Sequence, residues 1–113
     1  TSDFAFSLFQ KVHRVESSTE NIFVSPLSLH IALGMLLNGA TDETAAEIEK
    51  VLKVNGIDRK QLNLAYLKYL QDLPEVDSKV KLHLANSIWN DKNKTVKLRK
   101  IRIYNNIYFV YVC

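Results

Sequence analysis

The sequence predicts an α+β fold, incomplete as a domain, in which helices, one short strand and one long strand precede an atypical basic C-terminal tail. Three observations lead there. Apolar residues recur at helical spacing in several separate segments, two other runs are β-branched or alternate, and the sign of the charge reverses near residue 91. With 113 residues, 47% hydrophobic and 24% charged, the chain has the balance of one globular domain, which excludes collagen and a fully disordered tail. The single cysteine, Cys113, excludes an internal disulfide and a cysteine-based metal cluster. No run approaches the ~18 apolar residues of a membrane span, so no membrane association is expected. Thr1-Ser2-Asp3 opens straight into an amphipathic pattern, so no secretory signal is expected in this chain.

Phe4, Leu8 and Val12, with Ala5 and Phe9 beside them, form one apolar stripe on a first helix from about Ser2 to Val15. The polar run 16–21 breaks it, and Ile22-Phe23-Val24, short and β-prone, is expected to be a buried strand. Ser25 then suits an N-cap because its hydroxyl can accept from an unpaired backbone N–H. Pro26 suits the next position, where its missing donor costs nothing and its φ is already helical. The helix that follows carries Leu27, Leu29, Ile31, Ala32, Leu33, Met35, Leu36 and Leu37 on every side, so it should be enclosed within a larger body. Gly39 is placed for a left-handed cap at its end.

Thr41 starts a third helix with Asp42 and Glu43 in its first turn, where acids favour the positive end of the helix dipole. Ala45, Ile48, Val51 and Leu52 make its stripe, Glu49 and Lys53 form an i, i+4 pair, and Asn55-Gly56 ends the segment. Asp58 can cap a fourth helix that turns Leu62, Tyr66, Tyr69, Leu70 and Leu73 inward and closes at Pro74. Val80, Leu82, Leu84 and Ile88 alternate with Lys81, His83, Ala85 and Ser87, which is strand periodicity, ending at Asn90-Asp91.

Nothing in the sequence argues for an enzyme. His13, His30 and His83 stand at no metal-ligand spacing, so no metal or other cofactor is expected and each is read as an ordinary core or surface histidine. A Gly-rich phosphate loop and a nucleophile elbow are both missing. Residues 1–91 hold all 12 acids and nine Lys/Arg, net −3, whereas residues 92–113 hold six Lys/Arg and no acid, net +6. The Lys-, Asn-, Ile- and Tyr-rich tail has the composition that translation of an A/T-rich gene in the wrong frame produces. Its cations could release counterions from any polyanion, but a solvated or spurious tail is the preferred reading and no nucleic-acid partner is expected. Ser25 and Ser28 are accounted for locally by capping and by a bond from Ser28 to the helix backbone. The sequon at Asn93 matters only in a secretory compartment.

The run from Asn21 through Ser25-Pro26-Leu27-Ser28-Leu29 to Leu37-Asn38-Gly39-Ala40 closely resembles the N-terminal core of the serpins. Phe4-Ala5-Phe6-Ser7-Leu8-Phe9 is similar to the family's first helix, and Thr44 through Leu52 to its third. Leu84-Ala85-Asn86-Ser87-Ile88-Trp89 is similar to a strand of its large central sheet. The resemblance covers about residues 3–97 and implies a family fold in which the all-apolar helix runs beneath that sheet. It also implies a function: inhibition of serine proteases, and of some cysteine proteases, by cleavage of a reactive loop that then inserts into the sheet as a new strand.

Carried over by position, Ser25 and Ser28 fall where the family's sheet opens, the shutter, and Asn21, Pro26, Gly39 and Asn86 fall on structural positions. No reactive-centre loop is expected among these residues, which divide into an N-terminal serpin portion, 1–97, and a non-family tail, 98–113, frameshifted or truncated. The 113-residue chain is therefore expected not to inhibit a protease alone. The implied partner is a target serine protease and the implied location extracellular. Arg59, Lys60 and Lys68 lie on the helix that binds glycosaminoglycans in some members, but Asp58 and Asp72 dilute them and such binding is not expected. The alternatives are a non-inhibitory serpin acting as carrier or chaperone, and a small helical module that binds an acidic partner through its basic tail.

Overall fold

The computed structural model describes residues 1–16 and 20–87. Its elements are α1 (Ser2–Val15), α2 (Pro26–Gly39), α3 (Asp42–Leu52) and α4 (Arg59–Asp72), followed by a short 3-10 turn, Leu73–Glu75, that contains Pro74. Helix α2 is the axis of the bundle and contacts each of the other three. Phe4 of α1, Ile31, Met35 and Leu37 of α2, Ala45 and Leu52 of α3, Val54, and Leu62 and Tyr66 of α4 make the buried core. Leu8, Leu27, Leu33, Ile48 and Leu70 pack around it.

Local chemistry explains the ends. Pro26 occupies the first turn of α2, where no intrahelical donor is needed. Asp58 caps α4, its carboxylate accepting from the backbone N–H of Lys60 at 3.1 Å and of Gln61 at 3.4 Å. Helix α3 closes with Lys53 in the left-handed region, φ 56. The bonds there, from Lys53 N–H to Lys50 O and from Val54 N–H to Glu49 O, are those of a Schellman motif. A tight turn follows, closed by Ile57 N–H donating to Val54 O, in which Gly56 takes φ 80 without the steric cost of a side chain.

Several expectations are corrected. Neither 21–24 nor 80–87 is strand; both are irregular, without a ladder among the described residues, and Phe23, expected in the core, is 99% exposed. A strand's backbone groups need a neighbouring strand, and none faces these segments among the described residues. The fold seen is thus helical there, with the β component of the α+β expectation missing; Ile88 to Asp91 lie outside the described residues. Helix α2 is enclosed on one side only: Leu29 is 39% and Leu36 49% exposed. Gly39 is not a left-handed cap, since Ala40 ends the helix in extended conformation, φ −80 and ψ 149. Glu49 and Lys53 do not pair. Lys53 reaches α1 instead, donating to Asp3 O at 3.3 Å and Ser7 Oγ at 3.1 Å, and Glu49 meets Arg59 at 3.8 Å. Tyr69 is 43% exposed rather than inward. The boundary at 97/98, the basic tail, the sequon and Cys113 all lie outside the described residues.

Helices α2 and α4 approach closely at Gly34. A methyl built on Gly34 would lie 2.4–2.8 Å from the Tyr66 ring and hydroxyl, inside any real contact distance. Gly34→Ala is therefore expected to destabilise the chain by about 1–3 kcal/mol through overpacking. Urea unfolding of the two chains measures this, and an unchanged midpoint would contradict it.

Candidate functional site

Two polar clusters lie on α2, one at its start and one along its α4 side. At the start, Ser25 stands outside the first turn with φ −111 and ψ 91. Its carbonyl accepts from Leu29 N–H at 3.2 Å, but its hydroxyl makes no capping bond and the residue is exposed. Ser28, half-buried within the first turn, donates from Oγ to Asn86 Oδ1 at 2.8 Å. That bond joins residues 58 apart in sequence, from the central helix to the irregular segment 80–87. The structure thus unites Ser28 with Asn86 rather than with the helix backbone. Asn21 is exposed, Pro26 is half-buried at the first position of α2, and Gly39 sits about 20 Å away at the far end of that helix.

The second cluster was not foreseen. His30, Gly34 and Asn38 follow at i, i+4 and i+8 on the side of α2 that meets α4, where Arg59, Asn63 and Tyr66 follow at i, i+4 and i+7. Arg59 donates to Ala40 O at 3.1 Å. Asn38 and Asn63 exchange two amide bonds, at 2.9 and 3.0 Å. Tyr66 crosses Gly34 and brings its hydroxyl to His30 Nδ1 at 2.8 Å. A histidine and a glycine four apart in an otherwise apolar helix were the available signal. It needed the facing tyrosine, 36 residues on, to be understood.

His30 is 2% exposed. Its Nε2 faces the Leu52 carbonyl at 3.1 Å. A carbonyl only accepts, so Nε2 carries the proton of the neutral ring and Nδ1 accepts from Tyr66. Phe4 meets the imidazole edge-to-face at 5.0 Å and the Tyr66 ring does so at 5.6 Å. Burial lowers the His30 pKa below the usual 6.5; the Leu52 carbonyl opposes that shift and the Thr1 ammonium adds to it. Burial likewise raises the Tyr66 pKa well above the phenol range, so this hydroxyl stays protonated. His13 stacks on Phe9 at the exposed surface of α1, and His83 is exposed. Among the described residues no three His, Cys, Asp or Glu side chains group as metal ligands.

The family model "Serpin (serine protease inhibitor)" matches residues 1–111. The chain is 37% identical over 95 residues to alpha-1-antiproteinase of Rattus norvegicus, covering 81% of this chain and 23% of that protein. It is 30% identical over 109 residues to alpha-1-antitrypsin of Sus scrofa, covering 95% and 26%. It is 33% identical over 90 residues to leukocyte elastase inhibitor of Xenopus tropicalis, covering 80% and 23%. The chain spans about a quarter of the length of the curated relatives it matches. No solved structure matches.

Two outcomes follow from the geometry. Ser28→Ala is expected to cost about 0.5–1.5 kcal/mol, with most of that energy coupled to Asn86→Ala in a double-mutant cycle. Additive single effects would contradict a direct bond. Because the folded pKa of His30 lies below the unfolded value, the unfolded chain binds the proton first as pH falls through about 6.5. Stability should thus decline from neutral pH down to the folded pKa and level off below it. Urea midpoints across that range test this, and His30→Gln should flatten the decline.

Proposed function

The chain belongs to the serpin family, and from that premise we propose that it forms the N-terminal part of a serpin-type inhibitor of serine, and in some settings cysteine, endopeptidases. Such an inhibitor acts by cleavage of a reactive loop and insertion of that loop into the central sheet. The observation that carries this reading is the 2.8 Å bond between Ser28 and Asn86. Two residues assigned to family positions from separate motifs meet in space, and they link the central helix to the segment that resembles a sheet strand.

In this reading Ser28 is the shutter residue that holds the segment 80–87 to α2. Ser25, exposed and with its hydroxyl making no cap, is available to a strand not among the described residues. Asn21, Pro26 and Gly39 shape the path of the chain into and out of α2. Residues 1–97 form the serpin portion and residues 98–113 a tail that contributes no inhibitory element. The family match reaches residue 111, so that boundary rests on residues 98–113 having neither acids nor a helical stripe. The partner is a target serine protease, met outside the cell. Glycosaminoglycan binding is not part of the reading. Arg59, half-buried, is engaged by Ala40 O and Glu49, whereas Lys60 and Lys68 stand exposed on α4.

The 113-residue chain mixed with trypsin should give no covalent complex on a denaturing gel, only cleavage products. A stable acyl complex would refute the assignment of the inhibitory element outside this chain. The family role is tested by replacing the matching segment of Sus scrofa alpha-1-antitrypsin with residues 1–87. The chimera should still trap trypsin, and Ser28→Ala within it should shift the outcome toward simple cleavage. A folded chimera that never traps the protease would overturn the proposal.

A further inference from the structure

The Tyr66 hydroxyl has one proton and two acceptors within reach: His30 Nδ1 at 2.8 Å and the His30 carbonyl oxygen at 3.2 Å. The other ring nitrogen has a fixed acceptor, the Leu52 carbonyl. A hydroxyl oxygen can accept as well as donate, so this set of partners satisfies the imidazole in both protonation states. We propose that Tyr66 is a two-position hydrogen-bond switch that lets the bundle core take up and release a proton at His30 without coming apart.

With the ring neutral, the hydroxyl donates to Nδ1. With the ring protonated, a proton from solvent has formed the Nδ1–H bond, and that group donates to the Tyr66 oxygen. The hydroxyl then turns its own proton to the His30 carbonyl, so the phenol is neutral in both positions and no heavy atom has to move far. The resulting N–H bond is charge-assisted and stronger than the one it replaces. Acid thus weakens the bundle as a whole, because a buried ring must be charged, while tightening the single joint between α2 and α4.

The surroundings suit this role. Helix α4 presents Tyr66 and α1 presents the Phe4 ring, with the Thr1 ammonium opposing a second positive charge. Helix α3 presents the Leu52 carbonyl at its C-terminal end, where the helix dipole favours a cation. Lys53 beside it is turned to Asp3 O and Ser7 Oγ. Among the described residues no carboxylate pairs with the imidazole, so nothing competes with Tyr66 for the new donor. Gly34 holds the hydroxyl between its two acceptors by admitting the Tyr66 ring against the helix backbone.

The test is a nitrogen-resolved histidine NMR titration of the 113-residue chain, followed together with the Met35 and Leu52 methyl signals and the Tyr66 ring carbon that bears oxygen. At mildly alkaline pH, Nδ1 of His30 should be unprotonated and Nε2 protonated. On acidification both should carry protons, the Tyr66 carbon should shift with the same midpoint, and the methyl signals should keep their native positions. In Tyr66→Phe the proton affinity of His30 should fall at least about tenfold, since a buried charged donor is left unpaired. Loss of the native methyl signals at the His30 midpoint would overturn the proposal. So would a Tyr66 carbon that ignores the titration, or an unchanged proton affinity in Tyr66→Phe. Should that variant not fold, the Tyr66 carbon of the unaltered chain decides.

Discussion

The bundle depends on one close approach, that of Tyr66 across Gly34. Any side chain at residue 34 would occupy the space of the tyrosine ring, so the absence of one sets the distance between α2 and α4. That distance in turn brings Asn63 to Asn38 and Arg59 to the Ala40 carbonyl. Sliding α4 by one turn along α2 would separate all three pairs at once. Apolar contacts are tolerant of such slippage, because one leucine replaces another at little cost; a row of matched polar groups is not. The seam therefore fixes a register that burial alone would leave loose.

The same approach gathers the other two helices. His30, reached by Tyr66 from one side, touches Phe4 of α1 and the Leu52 carbonyl that ends α3 from the others. An imidazole in a core is costly unless each nitrogen has a partner. Here both have one, and among the described residues no buried side-chain polar atom lacks a hydrogen bond. The histidine thus gives each neighbouring helix a directional contact, whereas a leucine of similar volume would give only contact area.

Much of the helical part could be read from residue order. The stripe of Phe4, Leu8 and Val12, the Ser25-Pro26 start and the Asp58 cap each rest on interactions within a turn or two, and α1, α2 and α4 begin where those local signals place them. What failed was non-local. The runs at 22–24 and 80–87 have strand character, but strands exist only in pairs and no sequence pattern states whether a partner faces them. Gly39 was a plausible left-handed cap, yet Ala40 already ends the helix in extended conformation and Lys53, not a glycine, takes the left-handed place after α3. Of the candidate site, Ser28 and Asn86 were each singled out. That their side chains bond to one another could be seen only in the structure, because 58 residues separate them.

The distribution of these contacts around α2 has a mechanical meaning. At about 100° per residue, His30, Gly34 and Asn38 face α4, while Leu29 and Leu36 lie on the opposite side. Ser28 lies at the border between the two. One side of the helix is bound by directional contacts that permit a single register. The other presents apolar groups, partly exposed, and one hydroxyl bonded to the segment 80–87. Apolar surface and a single hydrogen bond can exchange one covering segment for another without strain in the helix, provided that the helix itself does not move. The seam with α4 supplies that condition. The proposed reading, in which a sheet opens and closes over this helix, calls for such a division, with a fixed back and an exchangeable front, and in this chain the fixed back is built from residues other than those at the proposed shutter.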